Sequence, residues 1–470
     1  MSALDRSLSR RKFLAASAAV PAAALLASAA PSYGAALRTA SVATRRPSGS
    51  SAAAMTFSDW WGNQFDHYLG TMKKLTGDAV SQEEGSYSVT KLFTELTAGS
   101  APSFFLVDSH WNGTLLPNAS KYLYPLDGAL KTAGVDPKGW NIPPSVDNGY
   151  GGQVWGLDLF VTQDNIVFVN TEMADKDGLL KDLPLWGTAS FDNWKWPQFV
   201  DFLKSATKTT SSGKVVQYAI GAGEGLPSLA FGLFQATLAS MGGAQLMNNA
   251  FDYDETKSLF DSEPVIETVQ MIADLYTRYK VAAPLGVDTS ETPAYTTEKA
   301  MMTVWYSTPS IGGNFPMSYM HLPYVDQRVH AVGSNSFCVN KSFSDPEEAA
   351  AWIITFTTNP SIRKPFLEFS SVPAYDPLPI VATAPDSPGK TIALINLSRI
   401  PGASTEPSHT VDVARWPYWL GRWAPSQTMA ALTSVPEQVI LGKSTAKQAC
   451  QGMASQLNAA ISEARSAAGV

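Results

Sequence analysis

KLFTELTAGSAPSFFLV, residues 91–107, is the stretch that decides the architecture. Val89, Leu92, Phe93 and Leu96 recur at i, i+3, i+4 and i+7, which puts them on one face of an α-helix. Gly99 follows and stops that helix, because glycine accepts the left-handed backbone of a C-cap. Phe104 to Val107 form a short unbroken apolar run, the pattern of a buried strand, and the run ends at Asp108. Helix, glycine turn and buried strand make up a unit of α/β architecture.

The same alternation continues outward. Met55 to Trp60 reads as a first strand, and Asn165–Val169 and Val215–Ile220 as further strands. Ser262, Glu263 and Pro264 open a helix with Val265, Val269, Ile272 and Tyr276 on its inner face. Asp345 caps another, with Pro346 at its first position and Glu347 and Glu348 at the positive end of its dipole. Trp352, Ile353 and Phe356 form its buried face. No repeat of fixed period runs through the chain.

The N-terminus reads differently. Ser9-Arg10-Arg11-Lys12-Phe13-Leu14 precedes an Ala-rich stretch, and no charge occurs between Lys12 and Arg38. A basic start, an apolar middle and small residues at Ala27-Ser28-Ala29 describe a signal peptide over residues 1–35, with the paired arginines pointing to twin-arginine export. Residues 36–54, rich in Ala, Ser, Thr and Arg, read as a flexible linker. About 415 residues remain, enough for two or three domains with sizeable cores. Beyond residue 46 the chain holds 27 basic and 40 acidic residues, a formal charge of −13. That balance argues against nucleic acid and anionic membrane surfaces as partners. Only two cysteines occur, Cys338 and Cys450, and either a disulfide or two buried thiols fits the sequence.

The order of segments resembles the extracellular solute-binding proteins of ABC transporters, in the carbohydrate-binding group that includes maltose-binding proteins. Residues 91–107 are similar to that family's helix, turn and strand, with Ser103 where Asp is usual. Gly152–Leu157 resembles its entry to the first crossing between lobes, with Asp158 where Pro is usual, and Asn170 and Glu172 follow the next strand as in the family. Phe191–Ala206, Ala300-Met301-Met302, the Gly-rich turn Val332–Asn335, and Asp345–Phe356 extend the likeness over about 400 residues. The resemblance implies a type II periplasmic-binding-protein-like α/β fold. Two lobes would flank a ligand cleft, joined by a hinge with crossings near Asp158–Phe160, Leu322–Val325 and Pro373–Tyr375. Residues 55–158 and 326–373 would form lobe 1, and residues 159–325 and 374–470 lobe 2. It further implies sugar capture, delivery to permease subunits, a monomer, no cofactor and no catalysis.

A sugar presents apolar C–H faces and a rim of hydroxyls, so its site needs flat aromatic rings beside planar hydrogen-bonding groups. Several of the 13 tryptophans fall at strand ends. Trp60 and Trp61 end the first strand, and the expectation is that one is core and the other faces the cleft. Asp108, His110 and Trp111 follow the strand at Phe104, and Asp108 is positioned to accept from two hydroxyls or to cap the next helix. Trp305, Tyr306 and Ser307 follow the strand at Met301, where the resemblance implies a ligand-facing position. Asp158, Asn335, Tyr375 and Trp416 complete the candidate set; each also has a structural reading, as hinge, turn or core residue. Trp155, Trp186, Trp194, Trp196 and Trp352 read as structural.

Other classes find less support. A glycoside hydrolase needs convergent carboxylates, and Glu83-Glu84 are adjacent in sequence. No Gly-x-Ser-x-Gly or His-Glu-x-x-His motif occurs, and two Cys with five His show no metal spacing. Gly221-Ala222-Gly223-Glu224-Gly225 has the wrong spacing for a dinucleotide. A polyamine remains the main alternative to a sugar, because it too is held by aromatic rings with acids.

Overall fold

The computed structural model describes residues 54–60, 65–140, 149–163, 165–188, 190–191, 193–222, 232–234, 237–238, 240–241, 257–289, 292–306, 314–326, 329–369, 373–397, 412–414 and 423–468. Its strands are β1 Met55–Asp59, β2 Val80–Glu84, β3 Phe104–Asp108, β4 Gly149–Tyr150, β5 Gln153–Val154, β6 Gly156–Gln163, β7 Asn165–Asn170, β8 Lys208–Thr209, β9 Val215–Ala222, β10 Ala300–Tyr306, β11 Met317–Met320, β12 Val329–Val339 and β13 Asp412–Ala414. The helices used below are α1 Asp66–Thr76, α2 Val89–Ala98, α3 Trp196–Ala206, α4 Glu263–Thr277, α5 Pro346–Thr358, α6 Pro360–Phe369, α7 Pro388–Leu397, α8 Pro425–Ile440 and α9 Ala446–Ala468.

Two sheets organise the chain. The first runs β13-β12-β3-β1-β2, with β6 also paired to β12; the second runs β11-β7-β10-β9-β8. In the first, β1 lies parallel to β2 and β3, the arrangement that α1 and α2 permit as crossovers. Met55, Phe57 and Asp59 are buried while Thr56 and Ser58 are half-buried, the period-2 alternation of a strand. Every residue of β3 and β7 is buried, as their unbroken apolar runs require.

Local signals in the sequence act as expected. Ser88 accepts from the Lys91 amide at the start of α2, and Gly99 closes it at φ 71°. Asp345 accepts from the Glu348 amide at 3.0 Å and begins α5. Each sheet carries its own apolar core. The first draws on residues from Met55 to Phe160 and from Phe337 to Phe366. The second draws on residues from Ile166 to Leu322 and from Ile392 to Ile461. In the first, Phe57, Phe104, Trp352 and Phe356 stack in sequence at centroid distances of 5.2, 4.8 and 5.3 Å. Such pairs each add about 0.5–1.5 kcal/mol beyond their buried area. In the second, α4 packs against both α8 and α9.

Two expectations need correction. Val332–Asn335 is not a turn: it lies inside β12, a strand of 11 residues paired on both sides. Its glycine reads as a turn signal, but pairing with Thr162 of β6 holds the backbone in extended form. The first crossing also lies later than Asp158–Phe160, because β6 stays in the first sheet as far as Gln163.

Cys338 and Cys450 are free, buried thiols, and they lie in different cores. Burial pushes both thiols up, Cys450 to about 12, with Asp158 adding to the effect at Cys338 and Asp261 at Cys450. The thiolate is the reactive form. Ellman's reagent at mildly alkaline pH is therefore expected to leave the native protein unmodified and to titrate both thiols in concentrated guanidinium. Rapid reaction of either thiol in the native state would contradict this packing.

Candidate functional site

Because β1, β2 and β3 are parallel, their carboxyl ends meet along one edge of the first sheet. The backbone turns there are tight. The Gly85 amide donates to the Asp59 carbonyl at 2.5 Å, just past the end of β2. A Cβ at Gly85 would lie 2.9 Å from that oxygen and 3.3 Å from its carbon, so only glycine fits. Asp59 is buried, and its Oδ2 accepts from Gln82 Nε2 at 2.6 Å.

This edge gathers an aromatic triad. Trp60, Tyr87 and Trp111 sit with centroids 5.0, 5.1 and 4.8 Å apart, one after each of the three strands. Beside them opens a cavity of about 60 Å³, bordered by Trp60, Trp111, Asp59, Ser58, Ser86 and Glu83 and continuing along α2. Lys91 and Glu95, on its α2 side, form an ion pair at 3.4 Å.

Next to the triad lies a buried polar seam. Asn335 stands opposite Asp108 in register, and its Nδ2 donates to Asp108 Oδ2 at 3.1 Å. Ser336 stands opposite Asp158 on β6, and its Oγ donates to Asp158 Oδ1 at 2.6 Å. Successive residues of a strand point to opposite faces, so β12 links β3 on one face and β6 on the other. The Ser334 amide donates to Ser109 Oγ at 3.1 Å. Asn335 Oδ1 and Ser334 Oγ are buried acceptors with no hydrogen-bond partner.

The candidates from the sequence therefore separate into groups. Trp60 and Trp111 meet in the triad; Asp108 and Asn335 bond to each other, and Asp158 bonds to Ser336 on the opposite face of the sheet. The backbone of His110 lies in the 3-10 turn Ser109–Trp111 between them. Tyr375 is buried apart from these, its ring 4.7 Å from Trp140. Trp305 is buried in the second core and pairs with Ile166 across β7, and Tyr306 ends the same strand. Trp61, Ser307 and Trp416 lie outside the described residues. Sequence reasoning missed Asp59, Gly85 and Tyr87. The missed signal was the parallel edge itself: once β1, β2 and β3 are neighbours, the residues after each strand must converge.

Among the described residues no His, Cys, Asp and Glu group could hold a metal ion, and no helix is long and apolar enough to cross a membrane. Residues 71–390 match the bacterial extracellular solute-binding protein family. The chain belongs to that family. It is a solute-binding protein, and the family is one of exported or periplasmic proteins. No curated protein matches its sequence. Among solved structures, an ABC substrate-binding protein from Listeria monocytogenes in complex with cycloalternan has a TM-score of 0.61 at 17% identity. It covers 86% of this chain and 98% of that one. A solute-binding protein from Thermotoga lettingae bound with alpha-D-tagatose gives 0.62 at 18% identity, over 87% and 100%. UgpB from Mycobacterium tuberculosis in complex with glycerophosphocholine gives 0.64 at 14%, over 88% and 99%. The shared feature is the fold, a two-lobed type II periplasmic binding protein.

Two substitutions test this edge. Asp108→Ala leaves the buried Asn335 amide short of an acceptor and is expected to cost about 1–3 kcal/mol in urea unfolding. Gly85→Ala forces the Asp59 turn apart and is expected to cost about 1–3 kcal/mol by overpacking. A stability unchanged from wild type in either variant would contradict the contact it removes.

Proposed function

We propose that the protein captures a sugar or oligosaccharide between its lobes, outside the cytoplasm, and delivers it as a monomer to a membrane permease. The observation that carries this reading is the parallel edge of the first sheet. There two indoles, a buried carboxylate and serine hydroxyls border one cavity. Indole faces suit the C–H surfaces of a sugar ring, and carboxylate and hydroxyl groups suit its rim. Similar structures are described as holding cycloalternan and alpha-D-tagatose.

In this reading Trp60, Trp111 and Asp59 form the first-lobe half of the site, with Asp108 and Asn335 as its polar floor. The strand ends at Trp305 and Tyr306 supply the opposing half, and Tyr375 stands at the hinge. Two separate cores support a division into lobe 1 (55–158 and 326–373) and lobe 2 (159–325 and 374–470), with the first junction shifted to Gln163 by the pairing of β6. Residues 1–35 act as a twin-arginine leader and 36–54 as a tether. Solute binds one lobe, the other closes on it, and closure is favoured only by the difference in affinity between the two forms.

A second reading has an observation of its own. Asp59, Glu83 and Glu95 all border the cavity, and the one cation among the described residues there, Lys91, is paired with Glu95. That excess of carboxylates suits a polyamine. Thermal unfolding against a panel of mono- and oligosaccharides, with polyamines and amino acids as controls, separates the two. A solute at one hundred times its Kd is expected to add about 2.7 kcal/mol of stability. A saturable response to one sugar, recovered unchanged, supports the proposal; a response to polyamines alone replaces it with the second reading. Conversion of any sugar to product would make the protein a hydrolase.

A further inference from the structure

The third crossing between the lobes is held by a buried cation. Arg363 on α6 is 2% exposed. Its Nη1 donates to the Thr358 carbonyl at 3.3 Å and its Nη2 to the Asp376 carbonyl. Its guanidinium carbon lies 5.3 Å from the centroid of the Tyr375 ring. Nε is buried with no hydrogen-bond partner. Burial pushes the guanidinium down to about 10, against the nearby charge of Asp376, so it remains a cation at neutral pH. A buried charge is costly unless its geometry performs a task that an apolar side chain cannot. A planar fork can hold two carbonyls of different segments at once.

What the fork holds is residues 373–376. Pro373 bridges to Phe160, and the Ala374 amide donates to the Leu159 carbonyl at 2.8 Å. Leu159 is free to accept because the register of β6 against β12 shifts there: Asn335 faces Phe160 while Ser336 faces Asp158. The Tyr375 ring lies against Trp140, whose Nε1 donates to the Asp158 carbonyl at 3.2 Å. A Cβ at Gly139 would overlap the Tyr375 ring. The Asp376 amide donates to the Gly139 carbonyl at 3.4 Å, and Asp376 itself is buried at φ 47°, a left-handed backbone that a non-glycine residue adopts only when its surroundings compel it. Beyond it Pro377 starts the next helix, and α7 delivers Ile392 and Ile395 to the second core.

We propose that Arg363 is a positioning residue for solute capture. Its guanidinium clamps residues 373–376, and with them Tyr375, to the first sheet, so that the lobes turn about a point beyond Asp376. The proposal rests on the reading that the lobes close around solute. Arg363 touches no solute in this scheme; it fixes the segment from which Tyr375 approaches the cleft.

The test measures the distance between lobes in the whole protein. Leu75 on α1 and Val216 on β9 are 45% and 57% exposed, one on each sheet's unit, and suit spin labels as Leu75→Cys and Val216→Cys. Cys338 and Cys450 are buried and do not compete for label. Without solute, the pulsed dipolar distance distribution of the doubly labelled protein is expected to be narrow. Arg363→Met should make it about twofold wider, because the unclamped segment samples more hinge angles. Arg363→Lys, which reaches one carbonyl rather than two, should widen it less, and circular dichroism establishes that each variant is folded. A distribution unchanged in Arg363→Met overturns the proposal. Where that variant does not fold, an unchanged distribution in Arg363→Lys overturns it equally. Failure of the closure reading looks different: the wild-type distance stays the same with every sugar and polyamine of the panel, and the clamp then falls with it.

Discussion

Strand β12 is the constraint on which the rest of the fold depends. Its 11 residues pair with β3 and β6 along their antiparallel lengths and with β13 at its start. Remove it and β3 becomes an edge, β6 loses its partner, and the first core loses Phe337, which contacts Phe57, Phe104 and Phe356 at 5.2, 5.6 and 5.2 Å. The strand comes from a segment more than 200 residues after β3, as the pair Asn335–Asp108 illustrates. The first unit is therefore assembled from distant parts of the chain, and it can form only after the strands of the second sheet have been synthesised. Buried hydrogen bonds between cross-strand side chains fix its register. A slip of one residue would turn Asn335 away from Asp108 and Ser336 away from Asp158.

Much of this was legible in the sequence where a single local rule applied. Helix α2 follows from its i, i+3, i+4 spacing and from Ser88 and Gly99; helix α5 follows from Asp345 and Pro346. Trp155, Trp194, Trp196 and Trp352, read as structural, are buried in the two cores. Legibility ended where local signals compete with distant partners. Gly333 in a serine-rich stretch reads as a turn, yet its pairing with Thr162 of β6 extends it. Trp60 and Trp111 are both buried, but their mutual contact depends on β1 lying beside β3, which no local pattern states. Arg363 gives no signal at all. Its position on α6 is that of an ordinary charged surface residue, and only the return of residues 373–376 to the first sheet buries it.

The polar groups of the seam carry an energetic consequence. Asp108, Asp158 and Asn335 are buried at the sheet edge, where desolvation of each is costly unless its hydrogen bonds are made. Asp108 and Asp158 spend acceptor capacity on β12, while Asn335 Oδ1 and Ser334 Oγ do not accept from the protein. Apolar replacements would pack at least as stably there. Acceptors are thus retained at a place where stability alone does not call for them, next to an aromatic triad that offers rings. That combination is the chemistry a hydroxylated ligand needs.

The distribution of these anchors also fixes which segments are held to the first sheet. Three segments are tied to the first sheet by hydrogen bonds: β6 along β12, β12 to Ser109 and Asp108, and residues 373–376 to Leu159, Gly139 and Arg363. Cores are close-packed and do not deform continuously. In the proposed closure, rotation between the units falls outside these tied segments. On the proposed reading, the first unit meets a solute with its rings and carboxylates already in place. Preorganisation of one half of a site raises affinity by removing part of the entropy that binding would otherwise consume. It also concentrates the difference between open and closed forms in a few backbone angles. A small, local change such as loosening one guanidinium can then alter the whole equilibrium.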